Sequence, residues 1–161
     1  MPRTVQPSRE ACEQLLRAAP AISAFRRELY RAAPAEARGW LGAISVVTRH
    51  PEGLRPSKVA ELLHLDLSVV SRNLSQLEEL GYVRRAPDPD DGRASIVQPT
   101  AEGIAWVDRF ADQFAEQLAS TLAGWTDRDV DSLTQMLQRF GATIESTNTS
   151  SPDGAAAQGL A

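Results

Sequence analysis

Ser68, Arg72, Ser75 and Gln76 carry hydroxyl, guanidinium and amide groups within nine residues of chain. Stepping roughly 100° per residue around a helix puts Val70, Leu74 and Leu77 on one side and these four on the other. That set binds and does not break bonds. Small hydroxyls donate to phosphates or base edges, an arginine forks onto guanine, and a glutamine pairs with adenine. Glu78 and Glu79 come only at the last turn. A second cluster, Asp88-Pro89-Asp90-Asp91-Gly92-Arg93, offers one arginine at an acidic tip. An exposed hairpin would carry Arg93 into a narrow minor groove, with Asp88 and Asp90 holding its guanidinium by charge-assisted hydrogen bonds.

Covalent chemistry finds little support. The one cysteine, Cys12, has no internal disulfide partner, and with only His50 and His64 there is no cluster at zinc-ligand spacing. A Gly-rich phosphate loop, a G-x-S-x-G elbow and an H-E-x-x-H pair are all missing. The chain is therefore expected to be no enzyme and to need no metal or cofactor.

The net charge of -4 speaks against a basic nucleic-acid surface, but it is unevenly spread. Residues 1 to 48 hold seven Arg against four acids, residues 49 to 98 seven basic against eight acidic, and residues 99 to 145 three against eight. Lys58 is the only lysine, so the cations are almost all of the type that forks onto phosphate or guanine. With 161 residues, 42% apolar, the chain suits one domain, or one lobe plus a dimerisation element. No run approaches the roughly 20 apolar residues of a membrane span, and Met1 to Thr4 do not begin a secretion signal. A soluble, cytoplasmic protein is expected.

The elements that would position these groups can be read from periodicity. Ser8 caps a helix over 8–33 with Cys12, Leu15, Leu16, Ala19, Ile22, Phe25 and Leu29 at three-and-four spacing, kinked or split where Pro20 removes a hydrogen bond. A second helix is predicted from Ala35 to Arg49, burying Trp40, Leu41, Ile44 and Val47, and ended by Pro51 and Gly53. Pro56 opens a third to His64, with Val59, Leu62 and Leu63 inward. Asp66 caps a fourth, Leu67 to Leu80, closed by Gly81. The period then changes. Tyr82 to Arg85 and Ala94 to Val97 read as strands about an Asp91-Gly92 hairpin turn. A fifth helix follows Thr100, with a stripe of Ile104, Val107, Phe110, Ala111, Phe114, Leu118 and Leu122. Thr126 caps a sixth, from Asp127 to about Ser146, and 147–161 reads as a disordered tail.

The runs Pro56 to Leu63, Leu67 to Arg72, Leu77 to Arg85, Asp88 to Arg93 and Pro99 to Gly103 resemble the MarR family of transcriptional regulators, closely over about residues 54 to 103. Two departures stand out: Arg55 takes the place of the usual Thr or Ser before the proline, and Gly39 to Ile44 fits the pattern poorly. The fold expected is mainly α with a small β-hairpin wing (α+β). Its winged helix-turn-helix lobe would span 35–99, and its helical dimerisation lobe would come from 8–33 and 100–146, all within a single domain over 1–161.

The resemblance implies a homodimer on double-stranded DNA, contacting it through Ser57, Lys58, Ser68, Ser71, Arg72 and, at the wing, Arg93; Gln76 is added from the helix face. The reading is of a repressor on a pseudo-palindromic operator. An aromatic or phenolic effector, where one binds, would sit between the lobes near Tyr30, Trp40 and Trp106, although aromatic residues at helical spacing more often build core. A dimer also has its own argument. Phe25, Leu29, Phe110, Phe114, Leu118, Leu133, Leu137 and Phe140 make more apolar stripe than one small lobe covers. Two alternatives stay open: a redox-sensing regulator using Cys12, since some family members carry a reactive cysteine in the first helix, and a winged-helix interaction module that does not bind duplex DNA.

Overall fold

The computed structural model describes residues 6–150. Its order is α1 (Arg9–Ala32), α2 (Leu41–Val47), α3 (Pro56–Leu63), α4 (Leu67–Glu79), β1 (Val83–Pro87), β2 (Ser95–Pro99), α5 (Ala101–Thr121) and α6 (Asp127–Ser150). Contacts divide the chain into two compact units, split between Gln117 and Leu118.

The first unit is built on one apolar cluster. Trp40, Ile44 and Val47 of the α2 segment meet Val59 of α3, Val70, Leu74 and Leu77 of α4, and Val97 of β2, all 2% exposed or less. Each fully buried aliphatic side chain here contributes about 1.5–3 kcal/mol. The three-and-four spacing of Val70, Leu74 and Leu77 is what turns one face of α4 inward. Beside them an aromatic ladder runs from Trp40 through Trp106 (4.8 Å between ring centroids) and Phe110 to Phe114. Phe25 of α1 meets Phe114 edge-on at 5.9 Å.

Turn chemistry sets the boundaries. At the end of α4, Gly81 takes φ +75°, its N–H bonds Glu78 O, and the Tyr82 N–H reaches back to Leu77 O at 2.9 Å. That paired closure needs a left-handed residue, the role of glycine at this position. The chain then enters a two-stranded antiparallel sheet with Val83 opposite Pro99 and Pro87 opposite Ser95. Leu54, just before α3, exchanges both backbone hydrogen bonds with Val97, tying the hairpin to the helical layer.

Several sequence expectations need correction. The second helix is shorter than 35–49: residues 35 to 40 form turns with i→i−3 bonds such as Trp40 N to Ala37 O, and only Leu41–Val47 is helical, so the helix ends before Pro51 and Gly53. Pro20 does not divide α1. Its neighbours are exposed, so water can serve the carbonyl that its missing N–H leaves free. Leu62, Ile104 and Ala111 face solvent, not the core. The strands start and end one to two residues later than predicted, and Gly92 lacks the positive φ of an Asp-Gly turn, because the tip is a seven-residue loop over 88–94. The helix α6 continues through 147–150, part of the segment read as tail; residues 151–161 of that tail lie outside the described residues.

In the second unit, Gly124 (φ +98°) turns the chain and Thr126 starts α6. The Thr126 hydroxyl accepts from Asp129 N, while the Asp129 carboxylate accepts from Thr126 N (2.9 Å) and its hydroxyl (2.7 Å), a reciprocal cap. Along α6, Leu133, Met136, Leu137, Phe140 and Ile144 are all exposed, Met136 at 70%. On α1, Leu15, Leu16, Ile22 and Phe25 are likewise exposed.

Candidate nucleic-acid interface

The helix α4 presents two chemically opposite faces. With Val70, Leu74 and Leu77 buried, Ser68, Arg72, Ser75 and Gln76 point to solvent, as the 100° step requires. Ser71, Arg72, Ser75, Gln76 and Glu79 line a shallow cleft of about 480 Å³ along that face. Arg72 has no ion-pair partner among the described residues; its Nε approaches the Ser68 carbonyl at 3.4 Å. A guanidinium held only by a long contact to its own helix is available to an incoming acceptor. Glu79 belongs to the same cleft. Its spacing from Arg72 and Gln76, seven and three residues, is the signal in the sequence that places it on the same face.

Asp66 adopts the extended N-cap conformation, but its side chain makes no cap hydrogen bond. The first N–H groups of α4 are thus not occupied by a capping side chain and face the same environment as Ser68. Between α3 and α4 the chain turns through His64, the only non-glycine with positive φ (52°) among the described residues. Ser57 is exposed in the first turn of α3, and next to it Lys58 Nζ sits 2.7 Å from Glu61 Oε1. Exposed pairs of this kind are worth about 0–1 kcal/mol, so Lys58 can exchange its carboxylate for a phosphate at small cost.

The hairpin tip departs from expectation. Asp88 and Asp90 do not hold the Arg93 guanidinium. The Asp88 side chain is only 5% exposed, and it takes Arg55 Nε at 2.5 Å from a residue 33 positions earlier. Its other oxygen accepts the Asp90 N–H at 2.9 Å. The Arg55 hydrogen bond, seconded by the Asp90 N–H, holds the Asp88 carboxyl below the usual aspartate range and pushes Arg55 up. A nearly buried carboxylate needs a charged donor, and Arg55 is the one that reaches it. Arg93 is left exposed, with no ion pair among the described residues, its backbone N–H on Asp91 Oδ1 at 3.1 Å. Arg55 also has no side-chain cap on α3, consistent with its replacing a Thr or Ser there.

The expected effector residues share one apolar cluster: Trp40 is part of it, and Trp106 and Tyr30 pack against it. Trp40 and Trp106 are in direct ring contact, and Trp40, 2% exposed, keeps a buried Nε1–H with no hydrogen-bond partner among the described residues. Tyr30 also lines a small cavity of about 260 Å³ with Arg26 and Arg27. Cys12 is exposed on α1, as are Leu15 and Leu16 of the same stripe. Of the apolar residues assigned to a subunit interface, Phe114 is buried and Leu29 and Phe110 pack against the core of their own unit; Phe25, Leu133, Leu137 and Phe140 stay exposed. No helix among the described residues is long and apolar enough to cross a membrane.

Comparison with known proteins gives a consistent picture. A sequence model of the MarR family matches residues 37–94. The chain is 28% identical over 89 residues to the HTH-type transcriptional regulator PecS of Dickeya dadantii, covering 55% of this chain and 54% of that protein. It is 31% identical over 72 residues to the HTH-type transcriptional repressor IacR of Pseudomonas putida, covering 45% and 43%. The matched part thus spans about half the length of these relatives. Among solved structures, a MarR transcriptional regulator from Methanosarcina mazei Go1 aligns with a TM-score of 0.63 at 20% identity, over 79% of this chain and 96% of that one. CouR from Rhodococcus jostii RHA1, solved bound to p-coumaroyl-CoA, aligns with a TM-score of 0.57 at 24% identity, over 76% and 87%. These structures share the winged helix-turn-helix fold.

Proposed function

We propose, taking residues 37–94 as the MarR-family segment that they are, that this chain is a sequence-specific DNA-binding transcriptional regulator acting in the cytoplasm as a homodimer. One observation carries the reading: α4 is sealed inward by Val70, Leu74 and Leu77 and turns outward a polar strip whose one cation, Arg72, has no ion-pair partner among the described residues. The regions 8–33 and 100–146 serve as dimerisation elements around the 35–99 lobe. The exposed apolar residues of α1 and α6 support this, since a surface of that kind is usually covered. A two-fold dimer would set two copies of α4 for half-sites about one DNA turn apart, hence a pseudo-palindromic operator.

Repression is the favoured outcome because IacR, with 31% identity over the matched region, is a repressor. The p-coumaroyl-CoA bound to CouR supports adding an aromatic small molecule as effector. Selection of bound sites from random duplexes tests the whole reading. An enriched, symmetric site whose affinity falls as salt rises is expected; no enrichment and no salt dependence would sink it.

A further inference from the structure

The Arg55–Asp88 pair joins the start of α3 to the 88–94 hairpin tip, and among the described residues no other side-chain hydrogen bond ties that tip to the helices. One end is fixed in the helical layer. Arg55 is the N-cap of α3, its carbonyl accepts the Val59 N–H at 3.1 Å, and the preceding Leu54 is hydrogen-bonded to Val97. The other end is the hairpin tip. The remaining hydrogen bonds of residues 88–94 start and end inside the loop: Asp88 N to Ala94 O, Ala94 N to Asp91 O, Asp90 N to Asp88 Oδ1 and Arg93 N to Asp91 Oδ1. Such bonds shape a loop but do not aim it.

Arg55 reaches both anchoring carboxylates. Its Nε is on Asp88 Oδ2, and its Nη2 lies 4.0 Å from Asp91 Oδ2. The other oxygen of Asp91 holds the backbone N–H of Arg93 at 3.1 Å. A continuous line of polar contacts therefore runs from the start of α3, through the guanidinium and Asp91, to the backbone of the exposed arginine at the tip. A lysine in place of Arg55 would offer one ammonium where two carboxylates are served by a planar fork.

We propose that Arg55 is a positioning residue for DNA binding: it latches the 88–94 tip to α3 through Asp88 and Asp91, and so fixes where Arg93 is presented relative to α4. The proposal rests on the DNA-binding reading above. An unlatched tip would have to lose its freedom on binding, whereas a latched one has lost it beforehand. The same pair also offsets acid at the tip, so position and charge must be separated. Asp88→Asn does so. Removing a negative charge near phosphates should tighten binding if charge alone matters, and weaken it if the latch matters.

The test uses the full chain and a duplex recovered by site selection. Arg55→Ala and Arg93→Ala are each expected to lower affinity about tenfold, the size of one charge-assisted contact, and Asp88→Asn to lower it too. In the Arg55→Ala background, Arg93→Ala should cost less than about threefold, because an unaimed arginine has little left to lose. Hydrogen exchange without DNA should speed up at residues 89–93 in Arg55→Ala and Asp88→Asn and stay unchanged in α4. Asp88→Asn keeps the side-chain volume and serves where Arg55→Ala loses the fold. Tighter or equal binding by Asp88→Asn, or an undiminished Arg93→Ala penalty in the Arg55→Ala background, would overturn the latch. Unchanged exchange at the tip would overturn it as well. Failure of the wild-type chain to bind any duplex would instead remove the DNA-binding reading, and the exchange rates would still decide whether Arg55 holds the tip.

Discussion

Gly103 sits in the first turn of α5, where the helix leaves the hairpin, and it is buried. A β-carbon added there would lie 2.1 Å from the Tyr82 carbonyl oxygen, 2.9 Å from its carbon and 3.1 Å from its α-carbon. All three are backbone atoms, so no rotamer change relieves the contact. Reaching ordinary separation from the oxygen needs a shift of more than about 1 Å between the start of α5 and the start of β1. That corner is already pinned. Tyr82 O accepts the Thr100 N–H at 3.1 Å, and the Thr100 hydroxyl donates to Gly81 O at 2.7 Å while accepting the Gly103 N–H at 3.1 Å.

Overpacking of this kind costs about 1–3 kcal/mol, and the strained hydrogen bonds add about 1 each. Gly103→Ala is therefore expected to lose roughly 3 kcal/mol or more, which for a chain of this length lowers Tm by about 6–12 °C. Circular dichroism melts at matched protein concentration measure it, with Gly92→Ala as control. Gly92 has open space around it and no positive φ, so the same substitution should be neutral or slightly stabilising. A Gly103→Ala melt within about 2 °C of wild type would refute the close-approach argument, as would an equal loss in the control.

Arg72→Ala should cost about 1–3 kcal/mol on the selected site and relax preference at one base position per half-site; an equal loss on random duplex would show that it reads no base. Leu137→Asp together with Phe140→Asp should convert the proposed dimer to monomer at micromolar concentration by sedimentation, and a persistent dimer would move the interface off α6. The Asp129 carboxyl is held below its ordinary value of 3.8 by the Thr126 hydroxyl and then the Thr126 N–H. Its folded pKa is depressed, so its stabilisation is complete above that value and fades as pH falls through the lower folded one; Thr126→Ala should flatten the acid limb of a stability profile below about pH 4. Salt slopes should be moderate: Arg49, Arg72, Arg84 and Arg93 are the cations of the 49–98 segment without an ion pair among the described residues, and with the readily exchanged Lys58 they make ten per dimer and cap the slope of log affinity near about −9.

Much of this architecture could be read from periodicity, and the failures share a cause. The helix α4 was legible because Val70, Leu74 and Leu77 state their face without ambiguity and Gly81 marks the end. The second helix was overextended because Ala35, Glu36 and Ala37 have good helix propensity, whereas Ala37 is spent in turn bonds on the way to burying Trp40. At the hairpin the residue types pointed to ionic contacts, but not to the partner. Asp88 and Arg93 are close in sequence and Arg55 is 33 residues away, and single-sequence reasoning favours the near neighbour. The hint was Arg55 itself, an unusual residue to find ahead of the helix-opening proline. On α1 the limit is of a related kind: apolar spacing shows which residues share a face, but not whether their own subunit covers it.

The net charge of -4 looked like the strongest objection to a DNA-binding surface, and the pairings show why it carries little weight. Charges that neutralise each other locally contribute almost nothing to the field a phosphate meets beyond a Debye length of about 8 Å. Within 49–98, Arg55, Lys58 and Arg85 are taken by Asp88, Glu61 and Glu78. What remains without an ion pair among the described residues is Arg49, Arg72, Arg84 and Arg93, of which Arg72 lies on the outer strip of α4 and Arg93 at the tip. Much of the remaining acid lies in 99–145, outside this segment. An acidic chain can in this way present isolated arginines to a duplex. The small number of free cations then leaves more of the discrimination to base contacts and to the aim of the hairpin than to indiscriminate attraction for phosphate.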